Sequence, residues 1–158
     1  MTSDNGCSRI VSRSRASAAG KILRDGAVAG RESEYAQALE IAQQWRAQHA
    51  EPTERCFEQV LECARRMPGS VSTYRLKRMI SIVRKLQRSN AHFKLGELDD
   101  IGGCRLIVET NDQVGEAANW LAARLPLKNG SGDKDYIARP QNSGYRSRHL
   151  TVFIYLMG

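Results

Sequence analysis

A chain of 158 residues, 41% hydrophobic and 26% charged, has the size of one globular domain and needs no disulfide or metal staples to bury a core. No stretch approaches the roughly 20 apolar residues that span a bilayer, and the first residues lack the apolar core of a secretory signal, so no membrane partner and a cytoplasmic location are expected. The formal charge of +7 and pI near 9.5 call for an anionic partner without telling a nucleotide from a nucleic acid.

Residues 1–32 are rich in Ser, Arg, Gly and Ala without sustained periodicity, which predicts a flexible N-terminal tail with a short helix at residues 16–23. From Ser33, taken as an N-cap, Ala38, Ile41, Ala42 and Trp45 recur at helical spacing to about Gln48. Pro52-Thr53 restarts the chain, and Phe57, Val60, Leu61, Ala64 and Met67 predict a second helix that stops at Pro68-Gly69. Cys56 and Cys63 lie one heptad apart on it. With Cys7 and Cys104 they form no C-x-x-C pair and no zinc-type spacing with histidine, so all four are expected as reduced thiols.

A third helix is predicted over residues 73–89, with Leu76, Met79, Ile80, Val83 and Leu86 as its core stripe. Lys77, Arg84 and Arg88 then fall together opposite that stripe, with Ser81 and Lys85 beside them and Arg75 near the edge. No acidic residue occurs between Glu62 and Glu97. A block of one sign forgoes the i,i+4 pairs that support a solvated helix, so the ridge is expected to meet an anion.

Residues 97–105, Glu-Leu-Asp-Asp-Ile-Gly-Gly-Cys-Arg, run straight into Leu106-Ile107-Val108. Neighbouring side chains of a strand point to opposite faces, so Asp99 and Asp100 should not both serve one site. One of them is a candidate Mg2+ ligand, since this ion takes one or two protein carboxylates and completes its shell with water and phosphate. The other reading of the pair is a plain turn into the strand. Gly102 and Gly103 leave the backbone bare, as close approach of a ligand or of another backbone demands.

Asp112 is taken as the cap of a fourth helix, with Val114, Ala117, Ala118, Leu121 and Leu125 as its stripe, ending before Pro126. A polar, glycine-bearing loop follows at residues 128–133, Ser131 among them, then a short extended piece at 134–140 and a turn at 141–144. Residues 145–156 close the chain as a strand that includes Val152, Ile154 and Tyr155. Helices and strands mixed in this order predict an α+β domain, a small mixed β-sheet flanked by helices. Lys134, Tyr145 and His149 gather around the glycine turn, where an open ring face and cationic groups suit a base and phosphates; the other reading is a polar hairpin whose tyrosine covers the edge of the core.

Three segments taken together resemble the synthetase domain of the RelA/SpoT family. They are Tyr-Arg-Leu-Lys-Arg-Met-Ile-Ser-Ile-Val-Arg-Lys-Leu at 74–86, Asp-Asp-Ile-Gly-Gly-Cys-Arg-Leu-Ile-Val at 99–108 and Lys-Asp-Tyr-Ile-Ala-Arg-Pro-Gln-Asn-Ser-Gly-Tyr-Arg-Ser-Arg-His at 134–149. Order and spacing match, over roughly residues 33–156. The resemblance implies a nucleotidyltransferase-like fold within residues 33–158 and transfer of pyrophosphate from ATP to the 3′-hydroxyl of GDP or GTP, making (p)ppGpp. It further implies that Arg75 and Arg105 sandwich the adenine, that Lys77 and Lys85 hold ATP phosphates with Ser81 nearby, and that Asp100 is the catalytic Mg2+ carboxylate. Tyr145 would stack on guanine, and Lys134 and His149 would contact the acceptor nucleotide.

Two departures from the family pattern bear on function. Gln141 stands where many members carry lysine, and the strand bearing a second catalytic glutamate does not follow the last one here. The expectation is therefore a domain truncated before that strand, with nucleotide binding kept and turnover impaired. Two other readings stay open: a toxin-like enzyme that moves pyrophosphate onto the 3′ end of tRNA, and a non-catalytic module whose sheet is completed by another chain. No histidine-aspartate hydrolase motif occurs, so alarmone breakdown is not expected.

Overall fold

The computed structural model describes residues 10–89, 92–130 and 132–153. The expectations for Cys7 and the first residues of the tail, for Ser131, and for Ile154 and Tyr155 in the last strand lie outside them. The elements run α1 (Arg13–Asp25), α2 (Glu32–Ala47), α3 (Ala50–Ala64), β1 (Val71–Leu76), α4 (Met79–Leu86), a single 3₁₀ turn (Leu95–Glu97), β2 (Gly102–Ile107), α5 (Asn111–Ala122), β3 (Asp133–Asp135) and β4 (Arg148–Leu150). This is an α+β composition. Among the described residues every strand pairing is antiparallel, β1 with β2 and β3 with β4, so the expected mixed sheet is replaced by two small antiparallel ones. No described helix is long and apolar enough to cross a membrane.

The chain divides into two units. One takes residues up to His49 together with Lys77–Ile101; the other takes Ala50–Leu76 and the chain from Gly102 onward. In the first, α1 packs on α2, on α4 and on the 3₁₀ turn. Ser12 caps α1 by accepting a hydrogen bond from the Arg15 amide, and Ala16, Ala19 and Leu23 are buried, so the expected helix near residues 16–23 is longer and sits in a core rather than in a tail. Small side chains on one face let α1 approach its neighbours closely. Helix α2 buries Ala38, Ala42 and Trp45, in line with the periodicity; Ser33 lies in its first turn and Arg31 occupies the cap.

The predicted third helix is corrected. Its first half is strand β1, whose Val71, Thr73 and Tyr74 are β-formers that follow the break at Pro68-Gly69. Leu76 happens to stand three residues before Met79, which carried a helical spacing backward into an extended segment. The true helix, α4, is eight residues long and buries Ile82 and Leu86, while Ile80 of the expected stripe is 59% exposed.

In the second unit, α3 packs on β1 and β2, and α5 packs on α3 and β4. Val60, Cys63, Met67, Ala117 and Leu121 form the core, with Cys104 and Leu106 of β2 packed on it. Cys56, Cys63 and Cys104 are free thiols. Helix α5 begins with a complete capping box in which Thr110 and Gln113 satisfy each other's backbone amides, so Thr110, and not Asp112, is the cap. The last expected strand is shorter: β4 covers Arg148–Leu150, followed by an antiparallel bridge between Leu127 and Val152.

Candidate functional site

The residues singled out in the sequence fall into three groups, each held within one unit. In the first unit, Lys77 Nζ lies 2.9 Å and Lys85 Nζ 2.8 Å from the same atom, Oδ2 of Asp100. Lys77 stands in the two-residue link between β1 and α4, and its N–H donates to the Ile101 carbonyl at 2.7 Å. Lys85 comes from the last turn of α4, and Ser81 stands one turn before it, so the two share a face. Asp99 and Asp100 occupy a turn immediately ahead of β2. The turn reading of this pair is therefore realised, and Asp100 is the carboxylate that the lysines meet.

The expected ridge is split by this arrangement. Lys77 and Lys85 are drawn inward, with 19% and 18% of their side chains exposed, while Arg84 and Arg88 face solvent. Burial pushes the Asp100 pKa up, but hydrogen bonds from Lys85 and Lys77 and the field of both ammonium groups outweigh it and hold the carboxyl below its usual range. Phe93 lies over the Lys85 ammonium, 5.0 Å from ring centroid to Nζ, a further restraint on that side chain.

Two ammonium groups on one carboxylate leave a net single positive charge. Such a cluster repels a bare divalent cation and attracts a polyphosphate. Among the described residues no group of three or more His, Cys, Asp or Glu could hold a metal by itself. Asp100 alone would fit Mg2+ only as its single protein carboxylate, with water and phosphate oxygens supplying the rest of the shell.

The second group lies on the strand pair. Cross-strand partners are Thr73 with Arg105 and Arg75 with Gly103, which places Arg75 and Arg105 diagonally on one face. That face is exposed at Thr73, Arg75, Gly103 and Arg105, while Leu76, Gly102, Cys104 and Leu106 turn toward α3. The glycine pair thus has two separate causes. A Cβ on Gly102 would collide with Thr53 Oγ1 of α3, whereas one on Gly103 would meet nothing within 4 Å. Gly103 is bare beside two arginines.

The third group is the β3–β4 hairpin. Lys134 and His149 are direct cross-strand partners, so their side chains leave the same face. Tyr145 Oη and His149 Nε2 share a hydrogen bond of 2.9 Å. Tyr136 was quoted in the sequence motif without a role; its ring stands edge-on to His149, with centroids 5.2 Å apart, and 6.2 Å from that of Tyr145. Asp135 Oδ1 accepts from the amides of Ile137 and Ala138 and so fixes the turn that presents Tyr136. Arg148 binds Asp133 through Nε and Nη2 at 3.0 and 2.6 Å, bracing the hairpin.

Antiparallel strand pairs among helices, a lysine pair on one carboxylate and an exposed strand face with two arginines describe an α+β protein. Residues 74–157, more than half of the chain, match the family model described as a region found in RelA / SpoT proteins. The chain belongs to this family. It is also similar, at 36% identity over 78 residues, to the probable GTP diphosphokinase RSH3, chloroplastic, of Oryza sativa subsp. japonica, over 49% of this chain and 11% of that protein. It therefore spans only about a tenth of that relative's length.

Proposed function

We propose that this chain acts in (p)ppGpp metabolism, through a nucleotidyltransferase-like site at which pyrophosphate passes from ATP to the 3′-hydroxyl of GDP or GTP. The observation that carries the reading is the convergence of Lys77 and Lys85 on one oxygen of Asp100. Family membership and the likeness to a probable GTP diphosphokinase support it. In the transfer the acceptor's 3′-oxygen bonds to the β-phosphorus of ATP as the bridge from the α- to the β-phosphate breaks, AMP leaves, and the hydroxyl proton passes to solvent. Reactions of this kind need positioning and charge neutralisation more than covalent help.

Each group of residues has a part in this reading. Lys77 and Lys85 exchange Asp100 for phosphate oxygens of ATP, and Ser81 offers a hydroxyl on the same helical face. Asp100 would be the protein ligand of Mg2+, and the ion would supply screening of the phosphate charge. Arg75 and Arg105 take the adenine, a use that suits flat guanidinium groups on a face with no side chain at Gly103. Tyr145 stacks on guanine, while Lys134 and His149, side by side, meet the acceptor's phosphates.

The test is incubation with Mg2+ and γ-labelled ATP plus GDP, GTP or bulk tRNA, beside an Asp100→Asn control. Label is expected to appear slowly in a guanosine nucleotide, as the impaired turnover expected from the sequence requires, and to vanish in the control. Label in tRNA would replace the acceptor, and label in no acceptor from a protein that also fails to bind ATP would overturn the reading.

A further inference from the structure

Arg46 lies on α2, ahead of residues 74–157 that match the family. Its Nε donates to the carbonyl oxygen of Lys77 at 2.7 Å. The Lys77 amide is held by the Ile101 carbonyl, also at 2.7 Å, so both polar groups of a residue that belongs to neither β1 nor α4 are satisfied. These two bonds tie the Lys77 backbone from opposite sides. A lysine reaches its target through a flexible four-carbon stem, and the position of its ammonium is only as defined as the peptide from which the stem starts. The ion pair beyond it is half-exposed at Asp100 and worth little by itself as an anchor.

Helix α1 makes the matching contact on the approach to Asp100. Arg13 Nε donates to the Gly96 carbonyl at 2.8 Å, and Gly96 lies so close to the Arg13 carbonyl that a Cβ there would collide with it. Both N-terminal helices thus hold the chain on either side of the lysine–aspartate cluster, through backbone groups rather than through its side chains.

We infer that Arg46 is a positioning residue of the phosphate site: it fixes the Lys77 peptide so that the ammonium group stays beside Lys85 and Asp100, ready for a polyphosphate. This gives α2 a part in nucleotide binding although it lies outside the family match, and it rests on the ATP reading above.

The experiment titrates ATP with Mg2+ into the full chain and into three variants, Arg46→Met, Arg46→Lys and Lys85→Ala, with the melting temperature of each recorded. A hydrogen bond to a charged donor supports a loss of about tenfold in ATP affinity for Arg46→Met. Arg46→Lys, which keeps a donor, is expected to recover most of it. Wild-type affinity in Arg46→Met beside a weakened Lys85→Ala would overturn the inference and leave the ATP reading standing. Wild-type affinity in Lys85→Ala would overturn the reading itself. Equal loss in Arg46→Met and Arg46→Lys, tracking a lowered melting temperature, would assign Arg46 to stability alone and also overturn the inference.

Discussion

Lys77 and Lys85, one from a link after a strand and one from the end of a helix, place their ammonium groups 2.9 and 2.8 Å from a single oxygen of Asp100. Such an over-supply of positive charge around one carboxylate is poor economy for stability alone, since one lysine would neutralise it. On the proposed reading the excess is explained: the lysines would pass to the phosphates of ATP, and the freed carboxylate would be open to a cation.

The pH dependence of that cluster has a definite sign. The folded-state pKa of Asp100 is held below its ordinary value, so its contribution to stability is present above the unfolded pKa of about 3.9 and is lost as pH falls through the folded value. Wild type should therefore melt higher than Asp100→Asn at pH 7. The gap should close in acid as pH drops below about 4. Melting curves of both proteins from pH 7 to pH 2.5 check this, and a gap that widens in acid would contradict it.

Adjacent glycines should behave oppositely. Gly102→Ala drives a methyl into Thr53, which is 2% exposed and has no room to yield, so the cost is roughly 1–3 kcal/mol. At roughly 2–4 °C per kcal/mol the melting temperature should fall by several degrees. Gly103→Ala meets open space and reduces the freedom of the unfolded chain, so its melting temperature should stay level or rise. On the proposed reading the same methyl crowds the face between Arg75 and Arg105 and weakens ATP binding. Calorimetric melting and ATP titration of the two variants separate these effects.

The cysteines differ in reactivity for reasons of position. A hydrogen bond with Cys104 pulls the Cys56 thiol down to about 7, against the effect of its partial burial. Burial above all, then the field of Glu116, pushes the Cys63 thiol up. At pH 7.5 in the folded protein, iodoacetamide should label Cys56 well ahead of Cys63. Peptide mass spectrometry after a short pulse reads the order directly, and preferential labelling of Cys63 would refute it.

Much of the first unit was legible because one face of α2 repeats Ala38, Ala42 and Trp45 at the helical period, a pattern that tertiary contacts only reinforce. Strand β1 was not legible. Leu76 and Met79 are three apart, a helical spacing, and the β-branched run before them is too short to outweigh the apolar stripe that follows. The cap of α5 was misplaced by two residues because Thr110 and Asp112 are both good caps, and only the reciprocal bond to Gln113 distinguishes them. In the candidate site, the motif residues could be named from their order, but not their grouping. That Lys134 faces His149, or that Arg105 shares a face with Arg75, depends on strand register. Arg46 gave no signal at all, since its bond to Lys77 spans 31 positions and is made by fold alone.

The guanine side of the proposal is tested at Tyr145. Its hydroxyl bonds His149 and its ring is the proposed stacking surface. Loss of a stacking ring costs about 1–3 kcal/mol per base, so Tyr145→Ala should bind GDP roughly tenfold more weakly or worse. Tyr145→Phe keeps the ring and should stay within a few-fold of wild type. Equal loss in both variants would shift the role from stacking to the hydroxyl.

Calorimetric titration of ATP, ADP and AMP, each with Mg2+, into wild type and into the Lys77→Ala, Lys85→Ala double variant decides what the two lysines receive. If the lysines that meet at Asp100 receive a polyphosphate, affinity should fall from ATP through ADP to AMP, and the double variant should lose that order along with most of its ATP binding. Equal affinity for the three nucleotides, or an unchanged ATP isotherm in the double variant, would show that these lysines do not receive a polyphosphate.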